Sequence, residues 1–450
     1  MFDQSFSHQN FFKIYSYENK RGNNLASRFF TDVSEEYAKI KRARKLIRKI
    51  YSRRRYYSKE NFDKRVLVLY KLLREIKNRK NELVRNHLKG VSNNVSERKF
   101  KFTLTKSEKK VKGKDVFQTG RSVESFFAEK QIQKNIKYTY GVKQADRDLI
   151  VPQLRSVLDN KFPKVILKTD IKSFYETINR RLLLEKLNES PILSLTTRKL
   201  IARILKSYEE ESGEALGIPR GVGVSAYLSE LYMQDFDSEI ESLPNMIYYA
   251  RYVDDIIIVL SPEPGKSSQD YLSLIENILE KEKLSLNFLD QKTKNFDFSS
   301  ADINFEFDYL GYKFKCYGGA VSLELANKKK SNYNRRIADV INAYKKNSIK
   351  QPSKARKELL LRLKFLTYNT KLSNNKGNAV VGIYNSNKWI TNSNCLQSLD
   401  DRLNGLAGSI NNQSLRDRIS KFSFKKGFDK RLFANFSAQD FSSITRAWSK

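Results

Sequence analysis

The 450-residue chain is 40% hydrophobic and 12% aromatic, which allows a proper core over two to four structural units and excludes a disordered tail. Its 85 Lys and Arg against 50 Asp and Glu leave a net charge of +35 and a pI near 9.8, more than solubility needs, and predict a polyanionic partner. Two cysteines (Cys316, Cys395) and two histidines (His8, His87) exclude a disulfide framework, a thiolate or His-based metal site and a Ser-His-Asp triad. No apolar run approaches the roughly 20 residues of a spanning helix, and the start lacks the basic and apolar regions of a signal peptide. The expectation is a soluble, cytoplasmic, nucleic-acid-binding protein with no membrane partner.

In chain order, the first 130 residues read as basic helices. "EEYAKIKRARKLIRKIYSRRRYY" spaces Ile40, Leu46, Ile47, Ile50 and Tyr51 partly helically, and the next helix carries Val66, Leu69, Leu72, Leu73 and Ile76. The cations around the first helix, Arg42, Lys45, Arg53, Arg54 and Arg55, read either as a solvated face or as a phosphate-facing surface. From Lys161 the texture changes to short apolar runs separated by helices. "KVILKTD" predicts a buried strand ending at Asp170, and "SAYLSELYMQDFDSEI" a helix with Leu228, Leu231, Tyr232 and Phe236 on one face. "NMIYYARYVDDIIIVL" predicts two strands joined tightly around Val253 and Asp254, followed by a helix with Tyr271, Leu274, Ile275 and Ile278 on one stripe. "FEFDYLGYKFKCYGGAVSL" predicts a hairpin turning at Gly318-Gly319. After Leu325 a helix with Ile337, Val340, Ile341 and Tyr344 on one stripe bears Lys328, Lys329, Lys330, Arg335 and Arg336, and the tail is rich in Asn, Ser, Lys and Arg. The order is that of an α+β fold, an antiparallel sheet backed by helices, with no internal repeat or Gly/Ser linker.

Three carboxylates carry the chemistry. Asp170 ends one predicted strand, and Asp254 with Asp255 sits in the tight connection, where a plain hairpin turn is the competing reading. If both strands share a sheet, hard oxygen ligands converge at its rim, a set that suits Mg²⁺ and phosphoryl transfer.

"LKTDIKSFYETI", "GIPRGVGVSAYLSELYM", "YVDD", "LSLNFLDQKTK" and "DYLGYKF", in this order from about Lys137 to Phe314, resemble the palm motifs of reverse transcriptases. The resemblance implies a right-hand polymerase with a basic helical fingers extension (1–130), a fingers–palm core (131–325) and a basic helical thumb and C-terminal region (326–450). Its motifs fall at 165–178, 217–233, 248–260, 284–294 and 307–314. It implies Asp170, Asp254 and Asp255 as ligands of two Mg²⁺ ions, with the Ile171 carbonyl as an extra ligand and Mn²⁺ as a substitute ion. Tyr175 falls where the family keeps an aromatic residue that excludes a 2′-hydroxyl, which argues for dNTPs over rNTPs. Pro219, Arg220 and Gly221 lie in the segment that approaches the template–nucleotide pair, and many relatives carry Gln where this chain has Arg220. Lys292 matches a lysine near the incoming nucleotide; an ordinary surface lysine is the plainer reading. Lys143 and Arg147 are offered as triphosphate-binding cations, and Leu310, Gly311 and Tyr312 as a primer grip, with a core hairpin as its plainer reading.

No RNase H, protease or His/Cys endonuclease region is legible. The wording of "GIPRGVGVSAYLSEL" and "ADRDLIVPQL" looks most like bacterial defence-associated reverse transcriptases, and "FDQSFSHQNFFKIYSYENKRGN" like one polymerase of a type 3 two-polymerase system. A structured noncoding RNA as template or scaffold, a DNA product, a second reverse transcriptase and a homo-oligomer are the partners this implies. A retron-type polymerase, an RNA-copying RNA polymerase and a catalytically silent RNA-binding protein are the alternatives.

Overall fold

A computed structural model describes residues 2–108, 110–111, 113–189, 191–289, 292–298, 304–372 and 379–448. Asp290 and Gln291 of the "LSLNFLDQKTK" motif lie outside the described residues. The chain opens with helices α1 (His8–Lys20), α2 (Leu25–Phe29), α3 (Thr31–Ser52) and α4 (Lys59–Ser96), then strands β1 (Leu104–Lys106) and β2 (Phe117–Thr119). Helices α5 (Val123–Thr139) and α6 (Arg147–Leu158) precede β3 (Lys164–Asp170). Five helices follow: α7 (Phe174–Thr177), α8 (Arg180–Glu189), α9 (Leu195–Ser212), α10 (Ser225–Tyr232) and α11 (Gln234–Glu241). Strands β4 (Met246–Tyr252) and β5 (Asp255–Leu260), helix α12 (Ser268–Lys281) and strands β6 (Lys294–Phe298), β7 (Asn304–Tyr309), β8 (Tyr312–Tyr317) and β9 (Ala320–Leu325) come next. The remainder holds α13 (Asn327–Ser348), α14 (Pro352–Thr367), β10 (Asn369–Lys371), β11 (Val380–Gly382), α15 (Gln397–Gly408), α16 (Gln413–Ile419), α17 (Phe424–Asp429) and α18 (Ala438–Thr445).

These elements form two interleaved compact units. The first comprises Met1–Gln144, Ser173–Asp235 and Glu282–Leu284, and the second Ala145–Lys172, Phe236–Lys281 and Ser285–Lys450. In the first unit α3 packs along α4 through a narrow seam of Ile40, Ala43, Ile47 and Leu73. Leu46, Tyr51 and Leu72, expected on that stripe, are exposed, because two paired helices bury only a strip of each surface. The helix expected over Ser225–Ile240 is interrupted at Met233, yet Leu228, Leu231, Tyr232 and Phe236 are all buried as expected.

In the second unit four antiparallel strands lie in the order β4-β5-β3-β6. The inner strands β3 and β5 are buried on both faces, which explains why they read as continuous apolar runs rather than as alternating ones. Helix α12 buries Tyr271, Leu272, Ile275, Ile278 and Leu279, whereas Leu274, expected on the stripe, is exposed. Strands β7-β8-β9 form a meander with two tight turns rather than one hairpin. Both turns have positive φ at both central residues, Leu310 (46°) with Gly311 (80°) and Gly318 (58°) with Gly319 (84°), the mirror-image geometry that matches strand twist. A continuous core joins the sheet (Ile166, Ile257, Val259) to the meander (Phe307, Phe314) and to Ile337, Val340 and Ile341 of α13. The polar tail folds onto the same core, and its buried Asp400 accepts from Ser423 Oγ (2.6 Å) and Phe424 N (2.6 Å) at the start of α17. Among the described residues no helix is long and apolar enough to cross a membrane.

Candidate active site

The ladder register builds the acidic centre. β3 pairs with β5 so that Asp170 stands opposite Asp255, and Tyr252 pairs with Asp255, leaving Val253-Asp254 as a two-residue turn. Val253 has φ 61°, a region that β-branched side chains avoid. The turn is held from below. Arg251 Nη1 donates to the Val253 carbonyl (3.0 Å), while its Nε and Nη2 grip Asp237 (2.8 and 2.6 Å), which also accepts from Tyr249 OH (2.5 Å). Ile171 N donates to the Asp254 carbonyl (3.1 Å), tying the end of β3 to the turn. Tyr309 OH donates to the Asp255 carbonyl (3.3 Å), and burial, with the Asp255 charge, pushes that hydroxyl well above the ordinary tyrosine range.

Asp170 is buried and its Oδ1 accepts from Asn287 Nδ2 (2.9 Å); Lys292 Nζ lies 3.4 Å from each carboxylate oxygen. Lys292 is aimed by its neighbour Thr293, whose hydroxyl meets Thr169 Oγ1 (2.7 Å) and donates to the Asn287 carbonyl (2.8 Å). Two residues before Asp170, Lys168 shares its face of the strand. Burial lowers the Lys168 ammonium's pKa, and Asp255 and Asp170 oppose that shift. Among the described residues no three acidic, His or Cys side chains close in metal-holding geometry. The donors still fit a hard divalent ion in kind: Asp170 and Asp255 are register partners in the ladder, and lysines lie beside them.

In the first unit the "GIPRG" segment is stapled to the turn that carries Tyr175. Gly217 N donates to Ile178 O (2.8 Å) and Ile218 N to Tyr175 O (2.8 Å). A Cβ on Gly217, which has φ 85°, would stand 2.9 Å from the Tyr175 and Glu176 carbonyl oxygens, so glycine is required there. Pro219 O accepts from Ser225 Oγ (2.7 Å), and Phe117 N donates to Arg220 O (2.7 Å) beside Gly221. Arg220 lies 4.9 Å over the Tyr175 ring and grips Glu176 (3.0 and 3.3 Å).

The other expected residues fall as follows. Lys143 is exposed in the first unit, and Arg147 begins α6 in the second. Arg147 Nη2 donates to Tyr312 OH (3.1 Å) and Ser386 O (3.0 Å), with its guanidinium 5.0 Å from the Tyr312 ring centre. Lys329 meets the same ring and donates to Ser386 O (2.8 Å); burial, with Arg147 beside it, brings its pKa down to about 8. Leu310 and Gly311 form the turn before Tyr312, next to Lys329. Arg42 and Lys45 line a cavity of about 970 Å³, whereas Arg54 and Arg55 lie over Phe62 and Tyr56. Arg53, Lys328 and Arg335 are at the surface or nearly so, Lys330 is half-buried, and Arg336 packs on Trp448. Sequence reasoning passed over Lys168, Glu176, Asn287 and Arg251. The two-residue strand period places Lys168 beside Asp170, but only the folded chain brings Asn287 and Asp237 to their partners.

No curated protein matches this chain. Among solved structures it is similar to telomerase from Candida albicans in complex with a TWJ fragment of telomeric RNA (TM-score 0.36, 11% identity, covering 87% of this chain and 73% of that one). It is also similar to apo telomerase from Candida tropicalis truncated from its C-terminal domain (TM-score 0.34, 13% identity, covering 50% and 55%). Residues 81–314, more than half of the chain, match the family described as reverse transcriptase (RNA-dependent DNA polymerase). With the α+β fold of right-hand polymerases and an antiparallel sheet bearing Asp170 opposite Asp255, the chain belongs to the reverse transcriptase family.

Proposed function

We propose that this RNA-dependent DNA polymerase extends a primer with dNTPs at a centre formed by Asp170, Asp254 and Asp255, copying a structured noncoding RNA. The supporting observation is the register that sets Asp170 against Asp255 with Asp254 in the adjoining turn. Asp170, Asp254, Asp255 and the Ile171 carbonyl would hold two Mg²⁺ ions, or Mn²⁺ in their place. Bound there, such ions lower the pKa of an attacking hydroxyl and neutralise charge on departing pyrophosphate. Asn287 fixes the rotation of the Asp170 carboxylate, and Arg251 with Asp237 keeps the Val253-Asp254 turn in place. Lys292 brings a cation to the leaving phosphates, and Tyr175 turns away sugars with a 2′-hydroxyl. In this reading residues 1–130 extend the fingers, 131–325 form the fingers and palm, and 326–450 form the thumb.

The wording of the motifs supports a bacterial, cytoplasmic enzyme of anti-phage defence, working with a second polymerase or a second copy of itself. The test is the purified chain together with whatever nucleic acid accompanies it. Wild-type protein should incorporate dNTPs in a Mg²⁺-dependent way, and replacing both Asp254 and Asp255 with Ala should abolish this, by at least about 10³-fold for a metal-dependent step. Undiminished incorporation by the double variant would sink the assignment. Sequencing of the copurified RNA and DNA should return one discrete noncoding RNA and its copy; heterogeneous cellular RNA would remove the defence and retron readings and leave a general polymerase.

A further inference from the structure

Arg220 has committed its charge locally. Its Nε and Nη2 hold the two carboxylate oxygens of Glu176 at 3.0 and 3.3 Å, and its guanidinium carbon lies 4.9 Å from the centre of the Tyr175 ring. Glu176 follows Tyr175 directly, so one guanidinium braces two consecutive side chains at the start of α7. Phe174 meets the Tyr175 ring edge-on at 5.8 Å, and the Tyr175 carbonyl is fixed by Ile218 N (2.8 Å). Backbone, ring edge and ring face are therefore all engaged, and the contact on the ring face depends on the residue at position 220. A planar guanidinium can pair bidentately and stack at once, which neither an amide nor an ammonium does.

We infer that Arg220 is a positioning residue that holds the Tyr175 ring in its blocking orientation, with Glu176 as its anchor, and so sets how strongly the polymerase rejects ribonucleotides. The inference rests on the reading of Tyr175 as the 2′-hydroxyl gate. An arginine that served template or triphosphate instead would, on its loss, raise the KM for every nucleotide alike. Loss of a gate brace changes the ratio between sugars.

The experiment measures kcat and KM for dNTP and matching rNTP incorporation by the full chain on a primed RNA template. Wild type is compared with Tyr175→Ala, Arg220→Ala, Arg220→Gln, Glu176→Gln and the double variant Tyr175→Ala/Arg220→Ala. Removing a stacking cation should shift selectivity toward rNTPs by roughly three- to tenfold. Arg220→Gln, which keeps hydrogen bonding without the planar cation, should behave like Arg220→Ala. Glu176→Gln should shift selectivity in the same direction by a smaller factor, and it covers the case in which Arg220 variants do not fold. In the double variant the ratio should equal that of Tyr175→Ala alone, because a brace without a ring has nothing to hold. If Tyr175→Ala accepts rNTPs but neither the Arg220 nor the Glu176 variants change the ratio, the inference is overturned and the gate stands. If Tyr175→Ala gains no rNTP tolerance, the gate reading itself fails and the inference falls with it.

Discussion

Val253 sits at φ 61° in the turn between β4 and β5, directly before the proposed catalytic Asp254 and Asp255, a backbone region costing a residue of its kind roughly 1–3 kcal/mol. The Arg251 bond to its carbonyl, backed by the Asp237 pair, supplies the restraint that keeps it there. Glycine has no such penalty but loses about 0.5–1 kcal/mol through the freedom it gains when unfolded. Val253→Gly should therefore leave stability unchanged or raise it by up to about 2 kcal/mol in a denaturant titration, while lowering kcat by loosening the turn that holds Asp254. A loss of more than about 1 kcal/mol would show that the valine is not strained. At this scale the sequence was legible in the backbone: the adjacent aspartates between two apolar runs do fall at a tight strand connection, as the spacing predicts. It was silent on Asn287 and Arg251, ordinary residue types whose roles come from partners 117 and 14 positions away.

Helix α3 shows what periodicity can and cannot carry. Its apolar positions predicted a helix, and the helix is there, but the stripe predicted a wider buried face than the seam with α4 provides, so Leu46 and Tyr51 lie outside it. For α13 the four predicted stripe residues are all buried, because a large core receives them. Both turns of the meander fall where glycines marked them, at Leu310-Gly311, expected as a primer grip or a core hairpin, and at Gly318-Gly319. Beside that seam α3 presents Lys41, Arg42, Arg44, Lys45 and Arg48 to a cavity that Asn19, Gly22, Asn23 and Asn24 also line. Among the described residues no acidic side chain lines it, and on α4 the pKa of Lys80 is lowered by burial together with Lys77 and Arg44. If this wall meets RNA phosphates, replacing Lys41, Arg44 and Arg48 with Ala should reduce the slope of log K against log salt by about 2 for single-stranded RNA. These side chains are exposed, so the melting temperature should stay within about 2 °C. An unchanged salt slope would mean that the wall does not face the nucleic acid.

For the whole molecule, a charge of +35 predicted a polyanion before any motif was read, and the reverse transcriptase family supplies one in its RNA template. What composition and local pattern could not supply is the interleaving of the chain, which leaves the first unit after Gln144, returns at Ser173 and leaves again after Asp235. The pairing of β3 with β5 joins Val165 to Leu260, and no local window reports such a contact. Nor does composition reveal that not every cation is fully charged near neutrality. Lys329, with a pKa of about 8, is covered by the Tyr312 ring and faced by Arg147, and the Tyr312 hydroxyl, itself pushed up by burial, stays neutral in this range. Between about pH 8 and 10.5 the unfolded chain holds the proton that the folded one has released, so this lysine's contribution to stability rises with pH over that window. Phosphate binding reverses the preference, because a nearby anion favours the ammonium form. If Lys329 faces the nucleic acid backbone, affinity for an RNA–DNA hybrid should fall as pH rises from 7 to 9.5 at fixed ionic strength, read by fluorescence anisotropy. Lys329→Arg, charged throughout, should remove that component of the decline, and Lys329→Met should bind more weakly at pH 7 with the same component absent. A wild-type affinity that does not change across this range would show that the ammonium lies away from the phosphates and serves only to brace Tyr312 and Ser386.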